Sequence, residues 1–190
     1  MNRKILTLAL AAAVLLLAAV GAYAQDDPEA LAAASAEYCN STATDAMTSP
    51  DVIVAKVKEA CAVLEAEGTA AFPKFQGKGS PFLFAGTYMW IHTLDDGTML
   101  MHPMKYKLNG KNVLTLKDTQ GKRFFATMND VVKESGEGWV DYYWPKPGTD
   151  EIVHKVSYVR GCTTPDGKAL VVGCGLYKFD DSTVASLTIK

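Results

Sequence analysis

Apolar residues recur every three or four positions in the first part of the chain, which predicts two helices. The first covers the Ala-rich residues 28–49 and ends in a polar stretch. The second begins at Ser49-Pro50-Asp51, where proline fits the first helical turn, and ends at Gly68. Its apolar face is formed by positions at helical spacing: Ile53, Val57, Ala60, Cys61 and Leu64.

From Thr87 onward the pattern changes to short strands. Asp95-Asp96-Gly97 separates the runs 88–93 and 98–102, and Asp-Gly between two such runs is a strong hairpin signal. Three more strands are predicted, with proline- and glycine-rich turns between them: 138–144, 152–160 and 169–177. An irregular Phe-containing loop over 69–86 joins the second helix to the first strand. A long connection over 103–121 and a helix over 122–135 join the second strand to the third.

This order of elements predicts an α+β domain. Short turns between successive strands favour antiparallel pairing, and the helices are segregated from the strands. We expect one sheet of about five strands, covered on one face by the long connection over 103–121, which we call the crossing segment. The absence of βαβ alternation argues against a doubly wound nucleotide-binding fold.

Residues 1–24 have the pattern of a secretory signal. Arg3 and Lys4 precede an apolar run, and Ala22-Tyr23-Ala24 provides a cleavage site with small residues. An uncleaved membrane anchor is the alternative, because the apolar run approaches the ~20 residues that span a bilayer. We expect cleavage, which makes residues 25–190 one exported, periplasmic domain.

Composition and charge exclude some classes of protein. The 190 residues are 48% apolar and 21% charged, with a formal net charge of −2, as in globular domains. The chain lacks the basic surplus of a nucleic-acid-binding protein. No later apolar run approaches the length of a second membrane span. These bulk properties predict one soluble domain with a small-molecule or protein partner.

Four cysteines in an exported chain favour two disulfides, for which three connectivities exist. Proximity along the chain favours Cys39–Cys61 and Cys162–Cys174. Four free structural thiols are the alternative. The sequence contains neither CxxC nor CxxCH, so it indicates neither a zinc site nor covalently attached haem, and we expect no cofactor.

A search for catalytic motifs finds none that supports an enzyme. The G-x-S-x-G signature of a nucleophile elbow is absent. Gly77-Lys78-Gly79-Ser80 lacks the hydroxyl residue that a P-loop needs directly after lysine. His92 and His102 fall on paired strands and could approach one metal ion, but the sequence offers no third ligand beside them.

Aromatic and basic side chains concentrate on the predicted strands. Because side chains alternate along a strand, three sets each share a face: Tyr88, Trp90 and His92; Val140, Tyr142 and Trp144; Lys155 and Ser157. Such a face beneath the crossing segment could form a small pocket for an anion, with lysine or histidine supplying charge and tyrosine and tryptophan supplying hydrogen bonds. An ordinary aromatic core with polar tips at its rim is the alternative on spacing alone.

Several spaced motifs occur together in the second half of the chain. They are the segments 88–96, His102-Pro103, 108–112, 117–122, 136–147, 155–159 and 171–177. In this order they resemble a single Cache domain of the second type, and the resemblance covers most of residues 30–180. The sequence departs from the family in three ways. Leu170 stands where tryptophan is usual, and Cys174 where serine or threonine is common. We also find no second membrane span and no signalling domain, so we expect a free periplasmic binding module or one half of a two-component sensor.

The resemblance implies a PAS-like sheet with a long N-terminal helix and a sensory role outside the cytoplasm. Members of this type commonly recognise small carboxylates such as acetate, propionate, pyruvate or lactate. The partners implied are a small organic acid and a membrane sensor protein, and a homodimer is one further arrangement. The alternative is a periplasmic interaction module of a signalling complex, in which the pocket is vestigial.

We choose the candidate ligand-binding residues from the shared strand faces, guided by this resemblance. They are Trp90, His92, His102, Tyr142, Trp144, Lys155 and Tyr158, with Tyr106 and Lys107 of the crossing segment in reserve. We expect Lys155 or a histidine to pair with a carboxylate while the aromatic rings wall the site. Strict alternation places Tyr158 and Lys155 on opposite faces, so a bulge is needed for both to reach one pocket.

Overall fold

The computed structural model describes residues 27–44 and 48–190, so the predicted signal sequence lies outside the described residues. The elements in chain order are α1 (Pro28–Ser41), α2 (Pro50–Glu67), β1 (Leu83–Phe84), β2 (Thr87–Thr93), β3 (Met99–Met101), α3 (Phe124–Ser135), β4 (Glu137–Pro145), β5 (Ile152–Thr163), β6 (Ala169–Leu176) and α4 (Asp181–Ala185). None of the described helices is both long enough and apolar enough to cross a membrane.

The two N-terminal helices begin where the sequence places their caps. The side chain of Ser49 accepts a hydrogen bond from the Val52 amide at the start of α2, and Gly68 ends that helix with a φ of +61°. Helix α1 is shorter than predicted and ends at Ser41. The hydroxyl groups of Ser41 and Thr42 donate to the carbonyls of Tyr38 and Cys39, as serine and threonine commonly do at helix ends.

The sheet is antiparallel, with strand order β1-β2-β6-β5-β4, and β3 also pairs with β2. The prediction of an α+β domain with one antiparallel sheet is confirmed, although the sheet has six strands. The additional strand is β1, which lies in the segment predicted to be a loop. It pairs with β2 through a tight reversal in which Ala85 and Gly86 both have positive φ. Residues Gly68–Phe75 of the same segment form a 3-10 helix.

Both faces of the sheet are covered, whereas the sequence predicted a cover on one face. Helix α2 and the segment after β6 pack on one face, around a core that includes Met89, Val156 and Val172. Helix α3 and the crossing segment pack on the other face, around a core that includes Trp90, Phe124 and Tyr142. The second core surrounds the candidate site.

The predicted disulfides are not formed, and all four cysteines are buried free thiols. In the β5–β6 ladder Cys162 lies opposite Leu170, four residues along β6 from Cys174, which corresponds to about 13 Å. A disulfide requires Cα atoms within roughly 7 Å. Cys39 and Cys61 belong to different core clusters. Proximity along the chain was therefore a misleading guide to pairing.

Candidate functional site

A fully buried lysine lies at the centre of the candidate site. Lys155 is on β5, opposite Tyr142 of β4, and its exposed fraction is 0%. Four aromatic rings surround its amine, at Nζ-to-centroid distances of 4.3 Å for Tyr88, 4.4 Å for Tyr177, 5.0 Å for Trp90 and 5.9 Å for Tyr142. The π faces of these rings favour a cation at this position. We call Lys155 and these four rings the lysine cage.

The amine of Lys155 has no acidic partner among the described residues, since no Asp or Glu forms an ion pair with it. Burial lowers its pKa from 10.5 to about 7. The thiols of Cys174 and Cys39 are close enough to influence the pKa of Lys155, and burial raises their own pKa values to about 11 and about 12. These thiols are neutral near pH 7, so the charge of a protonated Lys155 is uncompensated.

A chain of hydrogen bonds connects the polar groups of the lysine cage. Lys155 Nζ donates to the Tyr177 hydroxyl at 2.9 Å, and that hydroxyl donates to the Tyr88 hydroxyl at 3.0 Å. The indole N–H of Trp144 also donates to the Tyr88 hydroxyl, at 2.9 Å. Tyr142 Oη lies 3.1 Å from Ser157 Oγ. The first three bonds orient the donors of Lys155, Tyr177 and Trp144.

The site has more donors than acceptors. Because the Tyr88 hydroxyl accepts two of these bonds, its own proton is directed elsewhere. The Trp90 indole N–H is buried and has no acceptor within the described part of the chain. His102 Nδ1 accepts the backbone N–H groups of Met104 and Lys105, so its neutral ring carries a donating proton on Nε2. A surplus of buried donors around an unpaired cation suits an anionic acceptor.

Five of the predicted site residues lie at the lysine cage or in contact with it. Trp90, Tyr142 and Lys155 are members of the cage, and Trp144 bonds directly to Tyr88. The centroid of the His102 ring is 5.0 Å from that of Tyr88. Trp90, Tyr142, Trp144 and Lys155 converge because β2, β4 and β5 direct alternate side chains to one face of the sheet, and His102 follows the end of β3.

The other two predicted residues lie outside the lysine cage. His92 is on the same face, but its Nε2 lies 2.7 Å from Asn129 Oδ1 of α3, and its ring contacts Phe125. Tyr158 is on the opposite face, beside Trp139, because β5 continues without a bulge between it and Lys155. Neither residue contributes to the lysine cage.

The reserve candidates of the crossing segment also lie apart from the lysine cage. The Tyr106 hydroxyl donates to a carboxylate oxygen of Glu29 at 3.2 Å, and Lys107 is exposed. His92 and His102 have different hydrogen-bond partners and do not face a common ligand position. Across residues 27–44 and 48–190, no group of three or more His, Cys, Asp or Glu side chains is placed to hold a metal ion.

Two members of the lysine cage, Tyr88 and Tyr177, were not among the predicted site residues. Tyr88 was on the correct face, next to Trp90 in the alternation. Tyr177 follows Gly173 and Gly175 at every second position of β6, and Gly173 lies opposite Trp90. Glycines at alternate positions leave that face of the strand open, so the next residue of the series, Tyr177, covers it. This spacing was the sequence signal for Tyr177.

Two buried histidines predict a loss of stability in acid. Burial lowers the pKa of His92 to about 4, and burial together with the charge of Lys155 lowers that of His102 well below 6.5. The unfolded chain therefore binds more protons than the folded chain between about pH 6.5 and pH 4, and stability falls as the pH falls through this range. We expect a slope of up to about 2.7 kcal/mol per pH unit when both rings contribute.

Urea unfolding of the full domain at pH 7, 6, 5 and 4 measures this slope. The variant His92→Gln/His102→Gln should have a much shallower slope over the same range. An equal slope in the double variant would show that other groups control acid unfolding.

Residues 61–187 match the family "Single Cache domain 2". The chain belongs to the single Cache domain 2 family. The α+β fold and the resemblance of the spaced motifs are thereby confirmed.

Two curated relatives of this Cache domain are signalling proteins. This chain is 36% identical over 93 residues to the methyl-accepting chemotaxis protein McpP of Pseudomonas putida. It is 35% identical over 93 residues to the sensor histidine kinase MctS of Rhizobium johnstonii. Each match covers 49% of this chain. The matches span only 16% and 19% of these two relatives, which are much longer proteins.

Solved structures of Cache domains share the architecture. A periplasmic sensor domain of a chemotaxis protein is 29% identical, with a TM-score of 0.50, and the match covers 68% of this chain and 90% of that one. A Cache chemosensory domain described for carboxylic acid recognition is 30% identical, with the same TM-score and coverage. A methyl-accepting chemotaxis protein from Vibrio parahaemolyticus, 21% identical, shares the fold, with a TM-score of 0.50 over 70% of this chain and 84% of that one.

Proposed function

We propose that this Cache domain is a periplasmic sensor module that binds a short-chain monocarboxylate at the lysine cage. The observation that carries the proposal is Lys155, a buried amine without an acidic partner among the described residues. A buried unpaired charge is unfavourable by several kcal/mol unless an opposite charge accompanies it. A carboxylate ligand supplies that charge.

The donors around Lys155 define the chemistry of the ligand head group. A carboxylate has two oxygens with about four acceptor positions. The ammonium of Lys155, the Tyr88 hydroxyl and the Trp90 indole N–H provide donors of complementary kind. The single cation in the cage favours one carboxylate group over two.

The aromatic walls define the size of the remainder of the ligand. Tyr88, Trp90 and Tyr142 are at most 3% exposed, so little room exists for a long chain. Acetate, propionate, pyruvate and lactate fit these limits. The relation to a Cache domain described for carboxylic acid recognition supports this choice of class.

A thermal-shift screen of residues 25–190 tests the proposal. The panel contains acetate, propionate, pyruvate and lactate, with succinate and ethylammonium as controls of wrong charge. At ~100 times Kd a ligand adds about 2.7 kcal/mol to stability, which raises the melting temperature visibly. We expect a monocarboxylate to raise it and ethylammonium to leave it unchanged. The absence of any shift, confirmed by calorimetric titration, would favour the interaction module with a vestigial pocket.

A further inference from the structure

A cavity lies directly beside the lysine cage. It has a volume of about 310 Å³ and forms where the C-terminal end of α1, the turn between β4 and β5, and the residues after β6 meet. Its lining includes Ala43, Gly86, Lys146, Thr149 and Tyr177. Ala43 and Thr149 are exposed, so the cavity reaches the solvent.

Tyr177 belongs to both the cavity and the lysine cage. Its side chain lines the cavity, while its hydroxyl bonds to Lys155 Nζ and to the Tyr88 hydroxyl. Gly175 also lines the cavity, and a Cβ at this position would lie 2.6 Å from Lys155 Cε. The lysine side chain therefore packs against the wall of the cavity.

Tyr177 is the cage ring that is most able to move. Tyr88, Trp90 and Tyr142 are buried within β2 and β4, whereas Tyr177 follows the end of β6 and is half-buried. It is held toward the cage by its two hydrogen bonds at the hydroxyl. Rotation of this side chain toward the cavity breaks two bonds and leaves the sheet pairing intact.

We propose that the Tyr177 side chain is a gate to the lysine cage. The cavity beside it is then the vestibule through which the carboxylate reaches Lys155. This inference rests on the proposed function, since the ligand admitted is the carboxylate proposed above. Lys146 and Lys178 both line the vestibule, but Lys146 is ion-paired with Glu151 at 2.8 Å. Lys178 has no acidic partner among the described residues, and its charge attracts an anion to the vestibule. When the ligand binds Lys155, it replaces the bond between Lys155 Nζ and the Tyr177 hydroxyl.

A plug in the vestibule distinguishes an access route from a binding contact. Ala43→Phe places a ring in the vestibule and leaves Lys155 and the other cage residues unchanged. Ala33→Phe is the matched control at an exposed position of α1 outside the vestibule. A blocked route slows association and dissociation by the same factor. By stopped-flow fluorescence with whichever panel acid binds, we expect Ala43→Phe to lower both rates by about tenfold, with Kd within about twofold.

Removing the Tyr177 ring should change the rate constants in the direction opposite to Ala43→Phe. Tyr177→Ala should raise both rate constants, with the larger increase in dissociation because the ligand loses the wall of the cage. If carboxylate binds but neither Ala43→Phe nor Tyr177→Ala changes the rates relative to Ala33→Phe, the proposed gate and access route are refuted. The proposed function then still stands.

Iodide quenching tests the same route without a carboxylate. The variant Trp139→Phe/Trp144→Phe leaves Trp90 as the sole tryptophan of the three in the chain. In this background we expect Ala43→Phe to reduce quenching of Trp90 by iodide and Tyr177→Ala to increase it. Equal quenching in all variants would refute the route. If no panel acid binds but quenching follows this order, the proposed function fails and the route to the cage stands.

Discussion

Replacing Lys155 by methionine should weaken monocarboxylate binding by at least about 30-fold, since removal of one member of a buried charge pair costs about 2 kcal/mol or more. Methionine keeps the length and apolar stem of the side chain, so the aromatic walls keep their support. The loss arises from the missing ammonium, which is the only cation inside the lysine cage among the described residues. Calorimetric titration with the acid found in the panel measures the loss.

The same substitution should stabilise the unliganded domain. Burial lowers the pKa of Lys155 to about 7, against 10.5 in the unfolded chain. Below pH 7 both states are protonated, and the folded state bears the whole penalty of the buried charge. The penalty declines as the pH rises from 7 to 10.5, because the folded amine is then neutral while the unfolded one is still charged. Lys155→Met should therefore be more stable than the native chain at pH 6, by up to about 5 kcal/mol, and the difference should vanish near pH 10.5.

The opposite signs of these two effects separate function from structure. Lys168→Met, at an exposed lysine of the turn between β5 and β6, is the control and should change neither binding nor the pH dependence of stability. A Lys155→Met variant that loses stability at pH 6 would show that the amine serves the fold. A variant that binds carboxylate with native affinity would remove Lys155 from the site.

The sequence predicted which strand side chains share a face because strand alternation is a local property. Tyr142 and Lys155 were assigned to faces from their spacing alone, and the β4–β5 ladder places them opposite each other. The same rule assigned Tyr158 to the other face. Each assignment needs only a strand without a bulge, and β4 and β5 are paired without interruption from Glu137 to Pro145.

Strand order and the packing of helices could not be predicted in the same way. β6 lies between β2 and β5, and this order brings Tyr177 next to Lys155. No local pattern specifies that the last strand of the chain takes a central position. The cysteines illustrate the same limit, because Cys61 of α2 and Cys162 of β5 belong to one core cluster although they are 101 positions apart in the chain.

The interior of the lysine cage depends on a contact between a glycine and a tryptophan. Gly173 of β6 lies opposite Trp90 of β2 in the ladder. A Cβ at Gly173 would lie 2.2 Å from Trp90 Cζ2, 2.5 Å from Cη2 and 2.6 Å from Cε2. The indole ring therefore lies flat across the space that a side chain at this position would fill. Because Lys155 Nζ is 5.0 Å from the same ring, the absence of a side chain at Gly173 positions one wall of the site.

Gly173→Ala should reduce the free energy of unfolding by about 3 kcal/mol and abolish carboxylate binding, because overpacking a rigid core costs about 1–3 kcal/mol and occasionally more. The ring of Trp90 is 2% exposed and bounded by Phe125, so it cannot move away without displacing its neighbours. Urea unfolding and calorimetric titration of the same preparation measure the two effects. Gly138→Ala is the graded control, since its Cβ would meet only one Val131 methyl, at 2.6 Å, and we expect a smaller loss of stability with native affinity.

The double variant Gly173→Ala/Trp90→Leu determines whether the clash with Trp90 is the cause. Trp90→Leu alone leaves a cavity and should cost about 3 kcal/mol. In the double variant the alanine methyl occupies part of that cavity, so the two losses should not add, and the cycle should show a favourable coupling of about 1–2 kcal/mol. Additive losses would place the strain of Gly173→Ala in the backbone of β6. Carboxylate binding should stay absent in the double variant, because stability is restored without the indole ring that contacts the Lys155 amine.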